Sequence, residues 1–574
     1  MPSLKKTAAD SVIEEAASWR PAAAPLEDPL YYLENFRTVI RWVCTHHGDL
    51  LLPEEALRLQ AFTELPRPAQ GLLVRLIMRS GDLFRSDKLV YPELGAGISD
   101  MLEYLVAGCW LDPRPCLELA DMQRLFTKAE WWQAFGPFFQ DLGLARSAAK
   151  KQLYQALDGA GRPPAPLQSW WPGAPGTVVA LNSSELMRRV QLMFFGNLRQ
   201  DWSEFVLSEL GYQNYEPVAF TTESRAFGSR HQVDLYLHLQ ACRDRLDAGE
   251  TPASVWTDVL PKIADNPWLE SRRGRLVFEL AKLAERSGDR RLALAAYADS
   301  GHREARLRQL RLLERWGRYD EAYALTAHAQ AEPRCGSESL GLTRLRSRLA
   351  RKVGAPVPPS AAAIELPLLS LELPVPVNGS VERAVLEHLS EENAPVFYVE
   401  NTLLNGLFAL LCWPALYAPL PGAFFHPFHG APADLYREDF VARRRALFEE
   451  CLAAFDNQTY RDRILANWQA KHGISSPFLA WPVLTRGVVE MALDCLPADH
   501  LKAYFQRMLE DLKLHRSGLP DLIRFWPRQR QYQLIEVKGP GDRLQDHQRQ
   551  WLEFALEQGA SVAVCHVRWR AGTT

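Results

Sequence analysis

The sequence predicts a multidomain, mainly α-helical chain that ends in an α/β domain, and three observations predict it. Apolar residues recur at helical spacing through most of the 574 residues. Two Pro/Gly-rich stretches interrupt that pattern, at 159–176 and 355–378. Near the C-terminus the period changes, and two β-favouring runs, an amphipathic run and a third β-favouring run follow one another. A chain of this length accommodates three or four domains.

Residues 1–158 read as an N-terminal helical DNA-binding region. Leu72-Leu-Val-Arg-Leu-Ile-Met-Arg79 predicts a helix with arginines, and Ser80 to Tyr91 a short β-wing, which gives a winged-helix character. Thr127 to Phe135 and Leu142 to Leu157 predict two helices around a small turn, resembling a SAP-like module. Its Lys150 and Lys151, with Arg146, are candidate phosphate contacts, which position DNA without reading its sequence. Residues 159–176 read as a linker.

Residues 177–354 show an internal echo. Leu283-x4-Gly288-x4-Ala293 recurs as Leu312-x4-Gly317-x4-Ala322, 29 residues later. Glycine at the turn and alanine at the helix crossing form a TPR-like pattern, shorter than the usual period of about 34. Within 270–320 there are 13 Arg+Lys against 8 Asp+Glu, in a chain of net charge −3. DNA contact therefore has to come from local patches rather than from a generally basic surface. Residues 355–378 read as a second linker, and 379–574 as the final domain.

The remaining composition narrows the class. Hydrophobic content of 47% is ordinary for a globular core. Nine scattered cysteines with no Cys-x-x-Cys pair argue against a zinc ribbon or a disulfide framework, and for a reducing compartment. Met1 to Asp10 lacks the apolar run of a secretion signal. No formal charge occurs from Asn401 to Phe425, but Pro414, Pro419 and Pro421 break that run, so it predicts a buried helix and no membrane span. His426-Pro-Phe-His429 lacks a third ligand nearby and reads as a loop.

Chemistry concentrates in Leu519-Pro-Asp521 and in Glu536-Val-Lys538-Gly-Pro. Leu522–Trp526 and Gln533–Val537 form the arms of a predicted hairpin, with Pro527-Arg-Gln-Arg530 as its turn. Alternation along a strand sets Glu536 and Lys538 on one face, and Ile535 and Val537 on the other. With Asp521 opening the partner strand, two carboxylates and an ammonium converge. Mg²⁺ takes oxygen ligands, commonly one or two carboxylates plus water and phosphate, and the carbonyl of Val537 is a further candidate. Asp546 to Gly559 then predicts a helix with an aspartate cap and a glycine stop, and Ser561 to Val567 a last strand.

Leu-Pro-Asp521, Glu536-Val-Lys-Gly-Pro, Asp542-Arg543-Leu, His547-Gln548, Trp551-Leu and Val564-Cys-His-Val together resemble the VRR-NUC branch of the PD-(D/E)xK nucleases. Within that branch they are most similar to the Fanconi-associated nucleases. The resemblance implies a PD-(D/E)xK core with Glu400, Asp521, Glu536 and the Val537 carbonyl as ligands of Mg²⁺ or Mn²⁺, and Lys538 as catalytic lysine. It also implies that Gln548 faces the site and that Arg543 is a candidate DNA contact. A basic pocket for a 5′-terminal phosphate would fall near Arg272 and Arg275.

The implied activity is structure-specific cleavage of 5′-flap or branched DNA with 5′-to-3′ exonuclease action in DNA repair, such as interstrand crosslink repair. The implied setting is the bacterial cytoplasm with the nucleoid, or the nucleus in a eukaryote. Cysteine and histidine spacing for a ubiquitin-binding zinc finger is absent, which suits a bacterial member. Two alternatives stand beside this reading: a non-catalytic helical-repeat scaffold with a degenerate nuclease fold, and a junction-resolving nuclease acting as a dimer.

Overall fold

The computed structural model describes residues 28–95, 97–200, 214–357, 364–376 and 379–570. It divides into two compact units, Met1–Tyr212 and Gln213–Thr574. The first unit begins with helices Tyr31–His47, Pro53–Glu64 and Arg67–Ile77. Strands β1 (Leu83–Arg85), β2 (Leu111–Asp112) and β3 (Val178–Leu181) form an antiparallel sheet in the order β1-β3-β2. The expected wing is thus a three-residue strand completed by a segment almost a hundred positions later.

That pairing corrects two boundaries. Residues 177–181 belong to the first unit and do not open the repeat region. The stretch 159–176 is docked rather than free. Its Trp170 and Trp171 are buried beside Trp131, Phe135 and Phe139, and the Trp170 indole donates to the Leu117 carbonyl at 3.0 Å. Burying two such aromatic side chains stabilises by several kcal/mol on an area basis, roughly 25 cal/mol per Å², which outweighs the looseness suggested by proline and glycine.

In the second unit the echo marks two helical hairpins. Gly288 (φ +84°) separates helices Pro267–Ser287 and Arg290–Asp299, and Gly317 (φ +76°) separates Ala305–Arg315 and Tyr319–Ala331. Both glycines occupy the left-handed region that other residues avoid. Ala293 and Ala322 are fully buried where the helices cross. This scaffold meets the C-terminal portion through Arg303, whose guanidinium lies 2.6 Å from the buried Asp511 carboxylate.

A five-stranded sheet holds the C-terminal portion together. Its strands are β4 (Leu368–Leu373), β5 (Val396–Tyr398), β6 (Leu522–Trp526), β7 (Gln531–Lys538) and β8 (Ser561–Trp569), in the order β4-β8-β7-β6-β5. Strands β4, β8 and β7 run parallel, whereas β7, β6 and β5 are antiparallel. The hairpin occurs as expected, with Leu522 opposite Ile535 and with Arg530 at φ +52° in the turn.

Each strand sorts its residues to two faces. Leu522, Ile535, Val537, Cys565 and Val567 meet helix Val381–Leu389. Ile523, Phe525, Leu534, Val562 and Val564 join the larger core with helices Leu403–Leu411, Ala498–Glu510 and Asp546–Glu557. The uncharged run from 401 becomes that short buried Leu403–Leu411 helix, and among the described residues no helix is long and apolar enough to cross a membrane.

Strand β4 corrects the second linker. Residues 368–373 lie inside the stretch read as 355–378, yet they pair with Val564–Trp569 along their full length. Leu373, 4% exposed, faces the core. Leu373→Ala should therefore lower stability by about 2–5 kcal/mol, as for other buried leucines, whereas a residue in a free linker changes it by less than about 0.5 kcal/mol. Thermal or denaturant unfolding checks this, and a near-neutral result would return the segment to a linker.

Candidate active site

Asp521, Glu536 and Lys538 are brought together by the hairpin. The register Leu522 to Ile535, carried one residue further, sets Asp521 beside Glu536. Asp521 Oδ2 accepts from the Val537 amide at 2.8 Å, which ties the carboxylate to the opposite strand. Lys538 Nζ donates to Glu536 Oε1 at 2.8 Å and to Gln548 Oε1 at 3.1 Å. Gln548 is fixed in turn because the same oxygen accepts from the Gln545 amide at 3.0 Å, at the first turn of helix Asp546–Glu557. The helix is thus capped by Gln545, one residue before the expected aspartate cap, and this puts Gln548 in its first turn, bonded to the lysine.

Burial sets the electrostatics. Asp521 and Lys538 are 7% exposed and Glu536 is 0% exposed. Glu536 Oε2 is buried with no hydrogen-bond partner among the described residues. Desolvation, with Asp521 as the nearby like charge, pushes the Glu536 carboxyl up to about 8 even though Lys538 opposes it. Desolvation also pushes Asp521 up to about 6, aided by Glu400 and Glu382 and opposed by the Val537 amide. With one ammonium among four acids, the two buried carboxyls favour holding a proton or a cation.

Glu400 stands at the rim, half-buried, just before helix Leu403–Leu411. Its carboxylate accepts from the Tyr398 hydroxyl at 2.5 Å and from Asn401 Nδ2 at 3.2 Å. Asn401 adopts φ +50°, and its Oδ1 accepts from the Leu519 amide at 3.2 Å. This asparagine therefore links the loop bearing Glu400 to the loop bearing Asp521. Tyr398, Asn401 and Glu382 escaped the sequence reading. For Tyr398 and Asn401 the signal is proximity to Glu400 and an asparagine able to take the left-handed turn, whereas Glu382, 18 residues upstream, carries none.

The donor set fits a hard divalent cation. It offers carboxylate oxygens, an orphaned Oε2 and mutual repulsion that a cation would relieve. Among the described residues no three His, Cys, Asp or Glu side chains already converge as a ready metal cluster. The Glu400 carboxylate is bonded to Tyr398 and Asn401, so the set as it stands pairs Asp521 and Glu536 closely with Glu400 at the margin.

The predicted DNA contacts divide. Lys150 is engaged locally: its ammonium donates to the Gln123 and Phe126 carbonyls, each at 2.5 Å, and lies over the Trp131 ring. It closes a local turn, whereas Lys151 is exposed. Arg272 is engaged as well, stacked 3.8 Å from the Tyr236 ring centroid and bonded to Gln240. Arg275 and Arg543 are exposed.

Comparison with known proteins bears on this geometry. Residues 456–569 match the VRR-NUC domain, and residues 30–112 match the FAN1, HTH domain. Glu400 lies upstream of the first match, on the segment that adds β5 to the sheet. The chain is 47% identical over 551 residues to a Fanconi-associated nuclease 1 homolog of Pseudomonas aeruginosa, covering 96% of this chain and 98% of that one. It is 24% identical over 596 residues to an Arabidopsis thaliana homolog, covering 94% and 67%. A crystal structure of paFAN1 bound to 2nt 5′ flap DNA with gap superposes with a TM-score of 0.81 at 47% identity, covering 96% of this chain and all of that one. A nuclease sheet bearing paired buried carboxylates and a lysine, joined to a helical scaffold and an N-terminal HTH domain, thus has full-length relatives, and the chain belongs to the Fanconi-associated nuclease family, whose chemistry depends on a divalent metal.

Proposed function

We propose that the protein cuts DNA near a 5′ flap or branch, with linked 5′-to-3′ exonuclease action, in the repair of lesions such as interstrand crosslinks. The observation that carries this reading is the Asp521, Glu536 and Lys538 constellation. A non-catalytic scaffold would have no reason to keep two buried carboxylates and an ammonium at this cost. The 5′-flap DNA in the crystal structures of paFAN1 supports the substrate class.

In this reading Asp521, Glu536, the Val537 carbonyl and Glu400 hold Mg²⁺ or Mn²⁺. The bound cation would supply a more acidic water and shield charge gathering on the phosphate. Lys538, gripped by Glu536 and Gln548, keeps its ammonium aimed at the reacting centre. There it orients the attacking water or stabilises the crowded phosphorus. The Asp521 bond to the Val537 amide fixes the backbone of β7 at the residue that carries the candidate carbonyl. Leu534, Val562 and Val564 of the larger core adjoin Glu536 on its own face, and Ile535 and Val537 pack on the opposite face, so bulk water is limited on both sides.

Asp521→Ala or Glu536→Ala should lower cleavage of labelled flap DNA by more than roughly 100-fold, with flap affinity near wild type. Lys538→Ala should lose turnover likewise. Robust cleavage by Asp521→Ala in Mg²⁺ would remove the assignment.

A second outcome follows from the raised carboxyls. In metal-free protein the folded state binds more protons than the unfolded chain between the ordinary values, 3.8 and 4.5, and the shifted ones, about 6 and about 8. Stability should therefore fall as pH rises through that window. Melting in EDTA from about pH 5 to about pH 9 should show the decline, and Glu536→Gln should flatten it. A melting temperature that climbs across this range contradicts the burial argument.

The repeat region is proposed to read the 5′-terminal phosphate, which carries more charge than an internal one. Arg275 supports this: it is an exposed arginine on helix Pro267–Ser287 of the repeat region. Arg275→Ala should slow cleavage of a 5′-phosphorylated flap more than that of the same flap ending in hydroxyl. Arg272→Ala should act on stability, through Tyr236. Equal effects of Arg275→Ala on both flaps would end the measuring role.

A further inference from the structure

Beside Lys538 lies a cavity that the metal site does not use. Its volume is about 520 Å³, and it is lined by the turn Gly539-Pro-Gly-Asp542 and by His566 to Trp569 of β8. In the parallel register Lys538 pairs with His566, so their side chains share the face that carries Asp521 and Glu536. Arg568 follows on the same face two residues along, roughly 6–7 Å further. Glu536 and Lys538 on β7 are thus continued by His566 and Arg568 on β8. Both of these side chains are exposed, and no hydrogen bond or ion pair engages either among the described residues. Val562 and Val564, earlier on the same face, are buried core, so the change from apolar to basic coincides with the cavity.

The acids nearby leave that donor pair available. Asp542, exposed and itself lining the cavity, is tied into the turn, with Oδ2 accepting from the Gly539 amide at 3.0 Å. A side chain at Gly539 would meet that oxygen at 3.1 Å, and Gly541 adopts φ +91°, so the wall of the cavity depends on its two glycines. Glu372 stands opposite Arg568 in register, and no ion pair joins them. An arginine fork and an imidazole N–H, open to solvent beside a cluster of carboxylates, form an anion site adjoining a site that repels anions.

We propose that this cavity binds the phosphodiester next to the scissile one on the cleaved strand, with Arg568 and His566 as its donors, and so sets which phosphate reaches Lys538. The proposal rests on the DNA-cleaving reading of the site. The two are positioning residues: they hold the strand against carboxylate repulsion while other groups do the chemistry.

The experiment uses the full chain and flap DNA carrying one neutral methylphosphonate, stepped along the cleaved strand on both sides of the cut. Single-turnover cleavage in Mg²⁺ and, separately, anisotropy-based affinity in EDTA are measured for wild type, Arg568→Ala, His566→Ala and Arg568→Lys. Arg568→Ala should slow cleavage and weaken binding by roughly 10-fold, about the worth of one charge-assisted hydrogen bond. A methylphosphonate at one position adjoining the cut should cost wild type a similar factor and cost Arg568→Ala almost nothing further. Arg568→Lys should restore part of the affinity and keep the positional sensitivity, while melting temperatures stay level. Purely additive losses at every position, or Arg568→Ala and His566→Ala both within about twofold of wild type, would overturn the proposal. The affinity arm tests the cavity whether or not DNA is cut, whereas an inert wild type on unmodified flap would instead overturn the nuclease reading.

Discussion

The second unit is organised around a cost: Glu536 is wholly buried beside Asp521, with one lysine ammonium to offset both. Two carboxyls in a dry site repel each other and shed charge by holding protons, and their raised values of about 6 and about 8 express this. Such an arrangement persists only where the surrounding structure over-determines it. Strand β7 does so by lying between β6 and β8, with apolar residues filling both faces of the sheet. The amide of Val537 grips Asp521, the helix-start residue Gln548 grips Lys538, and Asn401 joins the Glu400 loop to the Asp521 loop. A divalent cation turns the same repulsion into binding energy, which connects the fold to metal-dependent chemistry.

Much of this was legible before any coordinates. Leu522–Trp526 and Gln533–Val537 are apolar and β-favouring around a proline-led turn, so both the hairpin and the shared face of Glu536 and Lys538 follow from strand geometry. Gly288 and Gly317 announced helical hairpins because only glycine takes those turns freely. Glu400 was reached through family resemblance. Its own surroundings, an acid before an uncharged run, have no periodic signature, and its place depends on a bend at Asn401 that tertiary contacts impose.

The misread segments share a cause. Leu368–Leu373 lies between Pro367 and Pro374 and is an edge strand with an exposed outer face, so its composition imitates a linker. The proline-rich stretch at 159–176 hid two tryptophans that anchor an aromatic core, and aromatic mass should have outweighed proline there. Lys150 looked like one of a pair on a solvated face, yet two carbonyls left open by the preceding chain captured it. In each case long-range partners decided, and local composition does not encode them.

The account stands most directly on whether the buried carboxylates hold a cation. Titrating Mn²⁺ into the full chain and counting free ion by electron paramagnetic resonance measures this without any cleavage. Wild type and Lys538→Ala should bind Mn²⁺ alike, and Glu536→Gln should weaken that binding by at least about 10-fold. Unchanged Mn²⁺ affinity in Glu536→Gln would contradict the central claim.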